Sequence, residues 1–234
     1  MKKSNIAILL VALVLIPLTL FLGMKLPGRA YYLTGTIIVI ELLIPFFLAF
    51  EGRKPQARHL VTIAVMCALA VTARVVVPIP NFKPMFAIIM LSGIALGPEA
   101  GFMVGAIGAL ASNFFYGQGP YLPWQMLGYG MAGLLAGFAF APNRIPRKPL
   151  VMGIFGFFAV LLIVGPILDT SSVFLGLSVI TFETAWPIYV SGITVNLSQG
   201  LCTLLTMLLF GNPLLEKLDR VKQKYGMMED EDGI

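Results

Sequence analysis

Long uncharged runs of apolar residues repeat along the whole chain, separated by short polar connections. Eight of these runs are candidate membrane-crossing helices: residues 6–24, 30–50, 60–77, 84–96, 98–115, 123–141, 150–168 and 187–210. A bilayer crossing needs ~20 apolar residues, and tilt or local thinning absorbs a few either way. The run 84–96 is short for that task. It is retained because Gly97-Pro98-Glu99 predicts a tight helix-to-helix turn, with Pro at the first helical position and an acid in the first turn. The stretch 170–180 is apolar but too short to cross. It follows Asp169-Thr170-Ser171-Ser172, all good N-cap residues, which predicts a short helix lying on or dipping into the outer face.

Composition turns this pattern into a fold class. The 234 residues are 58% hydrophobic and 12% charged, with a mean hydropathy of +0.91. A soluble domain carries charges at about a quarter of its positions. The chain therefore reads as an all-α integral membrane protein, a polytopic helical bundle. Residues 1–58 form an N-terminal pair of crossings, 59–212 a six-helix core and 213–234 a cytoplasmic tail, whose acidic end 229–232 reads as solvated. Lys2-Lys3 and the run behind them mimic a signal peptide. That run is too long for an h-region and no small-x-small site follows, so a retained signal-anchor is expected.

The net charge of +5 changes the picture only through its distribution. Lys2, Lys3, Arg53, Lys54, Arg58, Arg144, Arg147, Lys148, Lys217, Arg220, Lys222 and Lys224 fall on one side of an eight-crossing chain. The other side holds Lys25, Arg29 and Lys83 with the acids Asp169 and Glu183. The positive-inside rule puts both termini in the cytoplasm and assigns the basic clusters to topology rather than to nucleic acid.

Candidate chemistry then gathers outside. Pro78, Pro80 and Pro84 stiffen a loop whose tip is Asn81-Phe82-Lys83. Arg74 stands just before it, able to snorkel to the interface, to pair with Asp169 or Glu183, or to touch a ligand. Tyr116, Gln118, Tyr121, Trp124 and Gln125 line the next outer connection, and Asn113 lies near an outer helix end. Gln125 shares a helical face with Tyr129, as Asn196 does with Gln199. Amides and aromatic planes above a helical bundle are the ingredients of a small-molecule pocket, although Tyr116, Tyr121, Trp124 and Trp186 also fit an interfacial aromatic belt.

Other features weigh less. Gly93, Gly97, Gly101 and Gly105 recur every four residues, and Gly133 and Gly137 repeat the spacing, which predicts close helix packing. Ala64 and Ala68 form a similar pair, read either as internal packing or as a docking face for another membrane subunit. Glu41 lies mid-span, a proton site or a neutral, hydrogen-bonded structural carboxylate. Cys67 and Cys202 sit in apolar runs with no CxxC partner, and the lone His59 makes no metal cluster. The chain contains no phosphate loop and no zincin or nucleophile-elbow motif, so neither ATP binding nor catalysis is expected of it, and no cofactor.

Three stretches resemble the substrate-binding S components of energy-coupling factor (ECF) vitamin transporters, over roughly residues 60–210. They are Ala64-Val-Met-Cys-Ala68, Pro80-Asn-Phe-Lys-Pro84, and Leu96-Gly-Pro-Glu-Ala-Gly101 running on to Asn113-Phe-Phe-Tyr-Gly-Gln-Gly-Pro-Tyr-Leu-Pro-Trp-Gln-Met126. The resemblance implies a micronutrient bound between outer loops and helix ends. It also implies partners on other chains: a membrane scaffold subunit, packed against Ala64 and Ala68, and two cytoplasmic ATPases. Delivery by toppling in the membrane is implied as well. The two N-terminal crossings depart from the usual six. The long 113–126 stretch is most similar to cobalamin-type S components. Outside the resemblance stand a proton-coupled transporter working through Glu41 and a polytopic membrane enzyme.

Overall fold

The computed structural model describes residues 14–23, 31–52, 56–142 and 144–226. Most of the run 6–24, the charges Lys2, Lys3, Lys25, Arg29, Arg53 and Lys54, and the acidic end 229–232 lie outside the described residues. The helices are α1 (Ile16–Gly23), α2 (Tyr31–Gly52), α3 (Ala57–Val76), α4 (Met85–Leu96), α5 (Pro98–Tyr116), α6 (Leu122–Ala139), α7 (Pro149–Ala159), α8 (Gly165–Gly176) and α9 (Phe182–Lys224), with a π-helical segment Val160–Val164 joining α7 to α8. The rods α3, α7–π–α8 and α9 are each long and apolar enough to cross a membrane; α4 and residues 33–48 of α2 are shorter apolar helices. This is the polytopic all-α bundle that the composition predicts.

The bundle is built around α4. Its 12 residues rise only ~18 Å, well short of a ~30 Å hydrocarbon core. It does not need to span, because every residue from Met85 to Ala95 is buried and α3, α5, α6 and α9 pack around it. The turn predicted at its end is present. Gly97 takes φ +96°, a left-handed conformation that a Cβ would strain, and its N–H caps the Gly93 carbonyl at 3.0 Å. Pro98 and Glu99 then open α5.

The four-residue glycine pattern becomes backbone contact among α4, α5 and α6. A Cβ on Gly133 would overlap the Gly101 carbonyl, one on Gly93 the Gly133 carbonyl, and one on Gly105 the Tyr129 carbonyl. Gly137 lies against the Pro98 backbone in the same way. Lipid gives no hydrophobic drive between helices, so this proximity and its dispersion contacts hold the layer together.

Two expectations need correction. Residues 170–176 are not a separate surface helix; they finish a continuous 28-residue rod, Pro149–Gly176. The expected N-cap groups instead bond back within the helix: Thr170 Oγ1 to the Pro166 carbonyl at 2.7 Å, Ser171 Oγ to that of Leu168 at 2.7 Å. The π turn precedes Pro166, whose missing N–H leaves no ordinary i→i−4 bond to make there. The true cap lies later, at Thr181, which makes a reciprocal capping box with Thr184 and starts α9 five residues before the expected Pro187. At its other end α9 continues through Pro213 to Lys224, and Leu215 and Leu218 of this extension join the central core.

Charge separates the two ends. One end collects Arg58, Arg144, Arg147, Lys148 and the basic residues of the α9 extension. There Arg58 donates to the Tyr225 carbonyl, and buried Lys222 donates to the Ala95 carbonyl at 2.9 Å, a cation at the C-terminus of α4. The opposite end holds Arg74, Lys83, Asp169 and Glu183. Helix α2 lies along the bundle, with Phe46 stacked on Phe102 at 4.2 Å and Gly35 against Phe174 and Trp124.

Candidate functional site

At the sparsely charged end, three helices are tied together by one cation and two amides. Arg74, in the last turn of α3, donates through Nη1 to Ser112 Oγ and, at 3.0 Å, to Asn113 Oδ1 on α5. Asn113 Nδ2 in turn donates to Gln125 Oε1 on α6 at 2.7 Å. Ser112 and Asn113 are fully buried. Two tyrosines flank the guanidinium, Tyr116 at 4.8 Å and Tyr129 at 5.6 Å from its carbon to their ring centroids. The Tyr116 hydroxyl closes the loop by donating to the Arg74 carbonyl at 2.9 Å. Arg74, Asn113, Tyr116 and Gln125 were each legible as candidates; the sequence holds no signal for Ser112.

The neighbouring loops give a stiff rim. Lys83 donates to the Val77 carbonyl and so caps α3 through the folded-back Pro78–Pro84 segment. Asn81 takes φ +56° at the exposed tip, a conformation that asparagine tolerates better than most residues, while Phe82 beside it is half-buried. Gln118 bonds the Leu110 carbonyl at 3.3 Å and Tyr121 the Gly117 carbonyl at 2.6 Å, both on the 117–121 connection. Trp124 is buried against Phe174 with ring centroids 5.5 Å apart, and its indole N–H has no partner. It is therefore no belt residue. Trp186 is: it is half exposed and stacked on the exposed Phe182.

Of the three roles open to Arg74, pairing with Asp169 or Glu183 does not occur. Asp169 accepts from Asn196 Nδ2 at 2.9 Å instead. The reason is steric as well as polar. Asp169 fills the notch above Gly192, and Asn196 fills the one above Gly165, so two Gly-x-x-x-Asx patterns interlock between antiparallel α8 and α9. Asn196 thus stands apart from the Arg74 cluster, in a pair that fastens the rod to α9.

A second surface lies along α3. Ala64 and Ala68 are exposed, so their small size is not used for packing inside the chain. They line an apolar groove of about 440 Å³ with Cys67, Val71, Ile107 and Phe115 among its walls. Glu41 belongs to neither surface. It is buried in α2, where Oε1 accepts from Thr19 of α1 at 2.5 Å and Oε2 has no partner.

The family of ECF-type riboflavin transporter S components matches residues 54–217, which covers α3 to α8 and α9 as far as Lys217, and leaves out α1 and α2. The chain belongs to this family. S components are membrane transport subunits, not a class of enzymes. The chain is also similar to UPF0397 proteins: one from Lactococcus lactis subsp. cremoris at 30% identity, covering 66% of this chain and 84% of that one, and one from Vibrio atlanticus at 34% identity over 39% and 51%. The chain thus spans about half the length of the Vibrio relative. No solved structure matches the chain.

Proposed function

We propose that this chain is the substrate-capture subunit of an ATP-dependent vitamin transporter, binding a micronutrient at the end where Arg74, Asn113 and Gln125 meet. Family membership across the six-helix core carries the reading. The cluster supports it by holding polar and aromatic groups in one preorganised constellation at an outer helix end. A membrane scaffold subunit occupies the Ala64/Ala68 groove, and two ATPases on other chains supply the energy. Both termini lie in the cytoplasm, following the charge split between the ends.

The leading cargo is a flat heteroaromatic vitamin of the flavin class, the substrate in the family's description; a corrinoid such as cobalamin, which the 113–126 stretch resembles, is the second candidate. The unpartnered, buried Trp124 N–H supports the first. A flavin brings ring carbonyls able to accept from it and a plane able to stack on the tyrosines and Trp124. The test is mass-spectrometric identification of retained ligand on detergent-purified protein, with titration of a panel that includes riboflavin and cobalamin. Copurifying scaffold and ATPase chains support the capture reading; a folded protein that retains and binds nothing across the panel sinks it.

Two further results are expected. Asn81→Gly with Lys83→Met should weaken vitamin binding roughly tenfold, since an amide and a charge-assisted contact are together worth at least ~1.4 kcal/mol. Glycine preserves the positive φ and losing the Lys83 cap on the Val77 carbonyl costs only about 1 kcal/mol, so the melting temperature should fall by a few degrees at most while the larger loss falls on affinity; unchanged affinity would make the loop a connector. Glu41→Gln should leave uptake within about twofold, because the hydrogen bond Glu41 makes is to Thr19 of α1 and Gln keeps an acceptor for it. Collapse of uptake with retained expression would shift the reading to a proton-coupled transporter.

A further inference from the structure

The outer end carries a cation that its own fold holds but does not neutralise. Arg74 Nη1 uses both of its N–H bonds on Ser112 and Asn113. Nε and Nη2 offer three more donors, and among the described residues none finds an acceptor. Neither atom is sealed inside the protein, in contrast to the buried, unpartnered Arg58 Nε. Tyr116 and Tyr129 flank the guanidinium, leaving one edge open. Tyr129 is a buried wall and Tyr116 is half exposed, a flap on the solvent side.

Both simpler explanations of Arg74 fail on geometry. A snorkelling arginine reaches out to headgroups, whereas this one is tied inward to two fully buried side chains. Among the described residues an ion pair is absent as well. Asp169 is turned to Asn196 and held in the Gly192 notch, Glu183 is exposed at the start of α9, and Lys83, a second cation among the described residues at this end, adds to the positive field. Holding an unneutralised guanidinium at a membrane boundary is costly, and intramembrane charges of that kind mark solute sites.

We propose that the open Nε/Nη2 edge of Arg74 is an anion receptor, so that the captured solute carries a carboxylate or phosphate. This narrows the cargo and rests on the capture reading above. The planar fork matches a carboxylate or phosphate with two parallel hydrogen bonds, and it is already oriented before any ligand arrives. The same chemistry could come from a lipid phosphate, which the test separates.

The experiment uses the full-length protein in detergent and the matched pair riboflavin and flavin mononucleotide, which differ only by a phosphate. The mononucleotide is expected to bind about tenfold tighter or better, as charge-assisted bonds exceed neutral ones. Arg74→Gln should erase that preference, lowering affinity for the mononucleotide about tenfold more than affinity for riboflavin. Arg74→Lys, which keeps the charge but loses the fork, should retain a reduced preference, and it serves as the readout if the Gln variant does not fold. Equal or better binding of riboflavin by the wild type, or an equal loss of both ligands in Arg74→Gln, overturns the proposal.

If neither flavin binds, inorganic phosphate carries the test by thermal shift. Stabilisation of the wild type but not of Arg74→Gln sustains the receptor and removes the flavin cargo; no difference between them overturns the receptor. Nanodiscs with and without phosphatidylglycerol form the lipid arm. An Arg74-dependent stabilisation seen only with phosphatidylglycerol, and with neither phosphate nor the mononucleotide, assigns the edge to a headgroup and overturns the solute proposal.

Discussion

Under the proposed capture function, Ala64→Leu together with Ala68→Leu is expected to abolish solute uptake while leaving ligand binding by the purified chain within about twofold, since both side chains are exposed and lie outside the polar cluster. The argument is geometric. Both residues stand one turn apart on α3 and line an apolar groove, so two leucines fill the space a partner helix would enter. Neither change buries a new group within the chain, and helix propensity hardly falls between Ala and Leu. Stability should therefore hold. The partner interface should not, because close backbone approach is what small residues supply between helices in lipid. A loss of about 3 kcal/mol there lowers the association constant more than a hundredfold. Three readings decide it: uptake in cells, titration of the purified variant, and recovery of scaffold and ATPase chains on the tagged protein. Loss of binding with loss of uptake would instead show that the groove supports the fold. Normal uptake would place the docking face elsewhere.

How much of this could be read from the residues depended on how local the cause was. The Gly97-Pro98-Glu99 turn was legible because a positive φ, a proline at the start of a helix and an early acid are all local requirements. The close packing of α4, α5 and α6 was legible as a period of four, but not which faces would meet. The 170–180 stretch misled because Thr and Ser make equally good hydrogen bonds as caps and as back-bonded residues inside a helix. Only the neighbouring π turn and Pro166 decide between the two, and the cap at Thr181 lies upstream of Pro187, where the uninterrupted apolar run begins. Arg74 shows the same limit at the site. Its position near the end of α3 was plain, yet its partners come from Ser112 and Asn113, nearly forty residues away, and no local rule ranks them above Asp169. Asp169 and Asn196 were each visible as polar residues in apolar runs. Their interlock needed the antiparallel register of α8 and α9, which places each opposite the other's glycine.

Gly133→Ala is expected to be among the most damaging single changes in the bundle, although it adds one methyl group. A Cβ there would overlap the Gly101 carbonyl, and the nearest atoms are backbone, which cannot rotate aside. Helices α5 and α6 would have to move apart along the layer that also includes Gly93 and Gly137, so the contact is lost over several turns. Overpacking of this kind costs about 3 kcal/mol, and more where the obstacle is main chain. Alanine's better helix propensity returns only ~1 kcal/mol. The layer lies directly beneath the Arg74 cluster, since Gly105 packs on the Tyr129 carbonyl and Asn113 and Gln125 extend the same two helices outward. A shift between α5 and α6 would therefore stretch the 2.7 Å Asn113–Gln125 bond, and ligand affinity should fall together with stability. Gly108→Ala is the control, because its Cβ would meet the flexible end of Met85 at 3.5 Å and the Ala70 methyl at 3.9 Å, both ordinary van der Waals contacts. That variant should melt within a few degrees of the wild type, a change of about 1 kcal/mol or less. Thermal melting in detergent separates the two. A Gly133→Ala protein as stable as Gly108→Ala would mean that α5 and α6 are not in backbone contact, and that the register holding the polar cluster together is wrong.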